Sequence, residues 1–300
     1  MERTLAETIK EITKKHLEEN NGLIMGQCLT AVGWVNHTVP DCENIIELPM
    51  IDVAGSGIVA GAALVGRRPI FVIRFQDFIN LNSSFIVDYA AKTKYLFGYG
   101  TPIFIRALST EGKGAGPTHS AISHSYFMHV PGIKVCSPMT PGEYQEIWDE
   151  FMKDDCPMYV SEHRHSFNQT KELEDIILPN ADITLYGISA SRFNMIEAAK
   201  ELEKKNIKCN LSHILWLKPL SLDRMIKPLK ESKLGLVIDS DFEIAGASQS
   251  IAYELMKQTG YRVEALGAED RPTGTYERYE NGTPKVEKIV EKTKNLLKKK

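Results

Sequence analysis

Two stretches carry residues able to do chemistry. One is GKGAGPTHSAISHS, residues 112–125, where small residues lead through Pro117 to His119 and, five residues later, His124. The other is ELPMIDVAGSG, where Asp52 stands between Ile51 and Val53 at the start of a run of small residues. GKGAG has neither the GxxxxGK[ST] spacing of a phosphate loop nor the GxGxxG of a dinucleotide fold, although Lys113 between glycines suits an anion. As a metal site the histidines are poorly provided: His119, His124 and His129 do not share one helical face, and no Asp or Glu lies close in sequence. A histidine behind a small-residue loop can act as a proton donor or shuttle near neutral pH. It can equally be tied up inside its own loop. Asp52 reads either as an acid in a helix's first turn or as a carboxylate aimed at a ligand.

The elements that must position these residues alternate. Helical patterns are expected at 4–19, 54–66, 81–97 and from Pro141 onward, with Pro141 suited to a first helical turn. Between them LIMGQ, RRPIFVIRF, TPIFIRA, IKVCSP and PMYVSE read as short buried strands. A second series follows: strands DITLYG, KCNLSHILWL, LGLVIDS and YRVEALG, separated by helices near 190–205, 221–230, 245–258 and 284–299. Apolar strands between amphipathic helices predict parallel sheets covered on both faces. The expected architecture is therefore α/β, with two doubly wound domains at 1–178 and 179–300, joined through the polar stretch 171–182. Ligands of such sheets bind beyond the carboxyl ends of the strands. The loop carrying His119 follows TPIFIRA and falls at such an end.

Composition narrows the functions. The 300 residues are 43% hydrophobic and 25% charged, with a net charge of −3, so no strong field calls for nucleic acid or an anionic membrane. No segment reaches the length of a membrane span, and the N-terminus is charged rather than signal-like. The five cysteines are scattered without a CxxC pair, which predicts reduced thiols, a cytoplasmic setting and no zinc site.

The ordered string GSGIVAGAALVGRRPIFVIRF, YAAKTKYLFGYGTPIFIRA and GPTHSAISHSYFMHVPGIKVCSP resembles the beta subunit of the first component of 2-oxo acid dehydrogenases. More broadly it looks like the pyrimidine-binding half of transketolases. VIDSDFEIAGASQSIAYEL with YRVEALGAEDRPTG resembles that family's C-terminal domain. The resemblance spans nearly the whole chain and implies thiamine diphosphate. It further implies an alpha-type partner subunit holding the diphosphate and Mg²⁺, since no GDG-type motif occurs here, in an α2β2 heterotetramer. Asp52 falls where the family has the glutamate that hydrogen-bonds the aminopyrimidine, with one methylene fewer. Phe78 matches the aromatic wall of that ring, and Tyr89 the transketolase aromatic before AAK. His119 matches the histidine that faces substrate. The arginine that recognises a sugar phosphate in transketolases falls near Glu162, with Arg164 close by, and the acidic residue before GPTH is Ala115 here. A monovalent cation near residues 154–157 and supporting roles for His124 and His129 complete the implications. The functions implied are ketol transfer or, alternatively, oxo-acid decarboxylation feeding a lipoyl carrier. A non-catalytic partner subunit is the third.

Overall fold

The computed structural model describes residues 2–30, 33, 35–111, 116–273 and 280–299. The chain divides into two compact units, Met1–Glu172 and Leu173–Lys300, six residues before the expected boundary.

In the first unit, α1 (Leu5–Glu19) starts at a capping box: Thr4 accepts from the Glu7 backbone while the Glu7 side chain returns to the Thr4 N–H. β1 (Gly22–Gly26), β2 (Ile45–Glu47), β3 (Arg68–Ile73), β4 (Phe104–Ser109), β5 (Lys134–Cys136) and β6 (Met158–His163) run in the order β2-β1-β3-β4-β6-β5. All these pairings are parallel. β1, β4 and β6 are buried along their whole length, as apolar runs covered on both faces must be. α2 (Asp52–Leu64) is the small-residue helix. At Gly57 an added Cβ would lie 3.1 Å from the Phe85 ring, so the glycine lets that ring pack closely on the helix.

The expected helix at 81–97 is instead three pieces. α3 (Ile79–Asn82) ends early. A wide turn at Ile86–Ala90 closes with the Ala91 N–H on the Ile86 carbonyl, and α4 (Thr93–Phe97) follows, capped by left-handed Gly98. α5 (His124–Met128) is one short turn. α6 (Pro141–Lys153) begins as predicted, with Thr140 accepting from the Glu143 N–H and proline in the first turn.

α6 covers β4 and β6 through rings and one buried charge. Phe104 meets Tyr144, Trp148 and Phe151 at centroid distances of 5.9, 5.0 and 5.2 Å. Arg106 on β4 and Glu162 on β6 are 0% and 2% exposed, and two hydrogen bonds of 2.7 and 2.9 Å join them. The Tyr144 hydroxyl donates to the same carboxylate at 2.9 Å, and Arg106 donates to Thr38 Oγ1 at 2.9 Å.

The second unit has β7 (Ile183–Ile188), α7 (Ser191–Glu203), β8 (Cys209–Ile214), the short β9 (Trp216–Lys218), α8 (Asp223–Ser232), β10 (Leu234–Phe242), α9 (Ala247–Thr259), β11 (Arg262–Ala268) and α10 (Val286–Leu297). Its four-stranded parallel sheet runs β11-β10-β7-β8. KCNLSHILWL, expected as one strand, breaks at Leu215 into β8 and β9. Leu185, Met195, Leu236, Ile238 and Ile289 lie in the core that α7 and α10 close over this sheet.

Removing one partner of a fully buried, bidentate ion pair leaves the other charge uncompensated. Glu162→Ala should therefore destabilise the first unit by about 3–5 kcal/mol. Urea unfolding followed by tryptophan fluorescence reads this as a lower midpoint at unchanged slope.

Candidate active site

In the first unit the chain steps from β1 outward to β2, then returns to the other side of β1 for β3. The strand order thus reverses between β1 and β3, the place where open parallel sheets bind ligands. A small cleft lies there, lined by Gln27 after β1, Arg74 and Phe78 after β3, Asp52 and Gly55 of α2, and Asn82.

Asp52 is the first residue of α2 and half-buried. No side chain caps this helix, so the carboxylate answers its free N-terminal N–H groups by charge rather than by a capping bond. Asn82, 4% exposed, donates one amide N–H to Asp52 Oδ1 at 3.0 Å and the other to the Phe78 carbonyl at 2.9 Å. The carboxylate is thereby oriented through Oδ1, and Asp52 lines the cleft. Arg74 donates to Cys28 Sγ at 2.9 Å and Met50 Sδ at 3.4 Å, and its guanidinium lies 5.4 Å from the Phe78 ring centre.

His119 reaches this cleft through aromatic rings. Its imidazole meets Phe75 at 4.7 Å and Phe78 at 5.3 Å, edge to face in both cases. Nδ1 lies 2.9 Å from Thr118 Oγ1, so Nε2 is the nitrogen left for a ligand. The segment after β3 holds the loop in place. Gln76 Oε1 accepts from the Ser123 N–H at 2.8 Å and Asp77 Oδ2 from the Ala121 N–H at 3.1 Å. Gln76 Nε2 donates to the Ala107 carbonyl of β4 at 3.1 Å and to Ser161 Oγ of β6 at 2.9 Å. Burial raises the Asp77 pKa, against the N–H bonds and the nearby His119 that lower it.

Phe78 and Asp52 share one cleft, and His119 packs on Phe78. Arg164 stands one ring further on: its guanidinium carbon is 4.7 Å from the Phe75 centroid, and Nη2 donates to the Arg74 carbonyl at 2.9 Å. Burial draws the Arg164 pKa down to about 10, with Glu162 opposing, which still leaves a cation at neutral pH. Tyr89 is not among the residues lining this cleft. It is 56% exposed on the wide turn and stacks on Phe85 at 5.3 Å. His124 is fully buried, with Nδ1 3.2 Å from Ser161 Oγ, while His129 is exposed. Lys113 and Ala115 lie outside the described residues. Around residues 154–157 the carboxylates already hold ammonium groups. Lys94 bonds Asp154 at 3.0 Å and also Asp155, and Lys134 bonds Asp154 at 2.7 Å. Gln76, Asn82, Phe75 and Asp77 are the members of the site that sequence reasoning missed. Only the clustering of polar residues in RFQDFINLN, residues 74–82, hints at them.

Asp77 yields a pH-dependent prediction. A carboxyl whose folded pKa is raised favours the fold while protonated, and that contribution is lost as pH rises through the folded value. Asp77→Asn keeps an oxygen for the Ala121 N–H. It should therefore be more stable than the wild type at pH 7, and the difference should vanish below the ordinary Asp value of 3.8, where both states are protonated. Thermal melts of both proteins across pH check this.

The family model described as "Transketolase, pyrimidine binding domain" matches residues 8–169, and "Transketolase, C-terminal domain" matches 175–289. The chain is 27% identical over 231 residues to the beta subunit of acetoin:2,6-dichlorophenolindophenol oxidoreductase from Cupriavidus necator, covering 72% of this chain and 68% of that one. It is 28% identical over 229 residues to the pyruvate dehydrogenase E1 beta subunit of Rickettsia felis, covering 72% and 70%. Among solved structures it is similar to a split-gene transketolase described as an inactive beta4 tetramer, with a TM-score of 0.74, 16% identity and 99% of each chain covered. It also resembles the transketolase of Campylobacter jejuni, with a TM-score of 0.75 and 16% identity, covering 98% of this chain but 46% of that one. With the pyrimidine-binding match alone spanning more than half of the sequence, the chain belongs to the transketolase family.

Proposed function

We propose that this chain is the beta-type subunit of a two-subunit thiamine-diphosphate enzyme that transfers a two-carbon ketol unit. The observation that carries the reading is the convergence of Asp52, Phe78 and His119 beyond the strands flanking the sheet's reversal. These residues fit the cofactor's aminopyrimidine. An oriented carboxylate can share a proton with a ring nitrogen, and Phe78 supplies an apolar wall. When bound, the cofactor supplies an electron sink at its thiazolium carbon. Asp52 Oδ2 then holds or moves a proton at the pyrimidine, with Asn82 fixing its direction. His119, backed by Phe75 and Phe78, presents Nε2 to the substrate and donates or accepts a proton there. Arg164 lies near enough to His119, through Phe75, to bind an electron-rich end of the substrate.

The diphosphate and Mg²⁺ are assigned to an alpha-type partner. Two observations support this: the chain matches less than half of the full-length Campylobacter transketolase, and the sequence has no GDG-type motif. The surface of the first unit is also suited to assembly. Ile58, Val65, Tyr95 and Phe97 are 46%, 80%, 92% and 63% exposed, a large apolar display for a lone chain. An α2β2 arrangement accommodates it. Tyr89 and the turn that carries it would act from this surface.

The second reading is oxo-acid oxidation or decarboxylation, and the similarity to the pyruvate dehydrogenase and acetoin oxidoreductase beta subunits favours it. Reconstitution with the alpha-type partner, Mg²⁺ and thiamine diphosphate, assayed for both reactions, separates the two. Absence of cofactor binding by the pair would leave only a structural role. His119→Ala should lower kcat by roughly 10²–10⁴-fold without changing the melting temperature of the subunit. Asp52→Asn, which keeps the bond to Asn82 but not the basic oxygen, should lower kcat by at least about 100-fold. Steady-state kinetics of the reconstituted pair test both.

A further inference from the structure

Outside the Asp52 cleft, a second polar cluster sits beyond the ends of β4 and β6. Ser109 and His163 are register partners in these neighbouring strands, so Glu111, two residues past Ser109, comes to face His163. His163 is fully buried. Its two ring nitrogens differ. Nδ1 accepts the backbone N–H of His165 at 3.2 Å, which places the proton of a neutral imidazole on Nε2. That Nε2–H is buried and has no hydrogen-bond partner among the described residues. The Glu111 carboxylate faces it at 3.7 Å, too far for a hydrogen bond. A buried donor left without an acceptor is costly, so an acceptor belongs beside it.

We propose that His163 and Glu111 form a hydroxyl-recognition site for the uncharged, hydroxylated end of the substrate. On binding, Glu111, the more exposed partner, moves from its 3.7 Å position to make room, and one hydroxyl oxygen accepts from His163 Nε2–H and donates to the Glu111 carboxylate. Only a group that both accepts and donates satisfies the pair. A phosphate or carboxylate accepts alone and meets the charge of Glu111, so the site selects against a phosphorylated end. A metal ion is the competing occupant, since ligand atoms of Glu111, His163 and His165 lie within 4.8 Å of one another. Ligation through His163 Nε2 would move the ring proton to Nδ1, where it would point at the His165 N–H. The tautomer thus favours the hydroxyl. The cluster adjoins the site already described: Arg164, the next residue, packs on Phe75, which also touches His119.

This inference rests on the ketol-transfer reading for its substrate, but its test does not depend on turnover. The probes are erythritol and erythritol 1,4-bisphosphate, which has no uncharged end, titrated into the full chain by calorimetry and followed through the ¹⁵N side-chain resonances of His163. Erythritol should bind about tenfold or more tighter than the bisphosphate and should shift the Nε2–H signal. Glu111→Gln should erase that preference, and His163→Gln should weaken erythritol binding roughly ten- to hundredfold. Equal or tighter binding of the bisphosphate, or an unmoved His163 signal, would overturn the assignment. So would one equivalent of Zn²⁺ bound by the wild type and lost in both variants. Should His163→Gln fail to fold, Glu111→Gln at a more exposed position decides alone. If the ketol-transfer reading fails, the reconstituted pair shows no turnover while the binding preference persists. If the hydroxyl site fails, the preference is absent whatever the turnover.

Discussion

One buried amide holds the site together. Gln76 leaves β3 fully buried, and its carboxamide bonds to β4, β6 and the His119 loop at once. Its Oε1 also accepts from the Tyr159 hydroxyl at 3.2 Å. A single side chain thus satisfies donors and acceptors from three segments that lie far apart in sequence. In a dry interior each of these groups would be costly if left unpaired, so they constrain one another to one arrangement. The loop carrying His119 has little apolar surface of its own. Its position is set by the Ser123 and Ala121 N–H groups, pinned on Gln76 and Asp77.

The sheet supplies the rest of the positioning. Parallel strands expose their carboxyl ends on one side, and every element of the site departs from such an end: Gln27 from β1, Arg74 to Phe78 from β3, Glu111 from β4, His163 and Arg164 from β6. The Arg106–Glu162 pair locks β4 to β6 just beneath. It spans 56 residues of sequence and places a carboxylate where an arginine was expected from the family pattern. Glu162 is therefore a structural charge, fully engaged by Arg106 and Tyr144. On the proposed reading, substrate recognition near this strand end falls to its neighbours.

Periodicity made most of the elements legible, because each strand is a short apolar run and each helix has a polar stripe. It failed at 81–97, where Ser83 and Ser84 interrupt an otherwise helical stretch and the backbone turns wide at Ile86–Ala90. It failed again at Leu215 within an unbroken apolar run. Of the site, His119 and Asp52 stood out because they follow apolar elements at strand ends. Gln76 and Asn82 did not, because an amide has no motif: its role depends on which distant donors and acceptors the fold brings to it. The tautomer of His163 is hidden for the same reason. It follows from the backbone N–H two residues on, which is close only because residues 164–166 form a tight helical turn.

On the proposed reading, Asp52 replaces a longer acid whose extra methylene brings more reach and correspondingly more rotamers. Here the carboxylate sits at the head of a 13-residue helix, where the helix dipole favours the anion, and Asn82 takes one oxygen. Asn82 is itself fixed by the Phe78 carbonyl, so the acid and the aromatic wall of the cleft are coupled through one amide. On the proposed reading, a ligand against Phe78 thus meets the Asp52 carboxylate in a set direction, and orientation offsets the shorter reach.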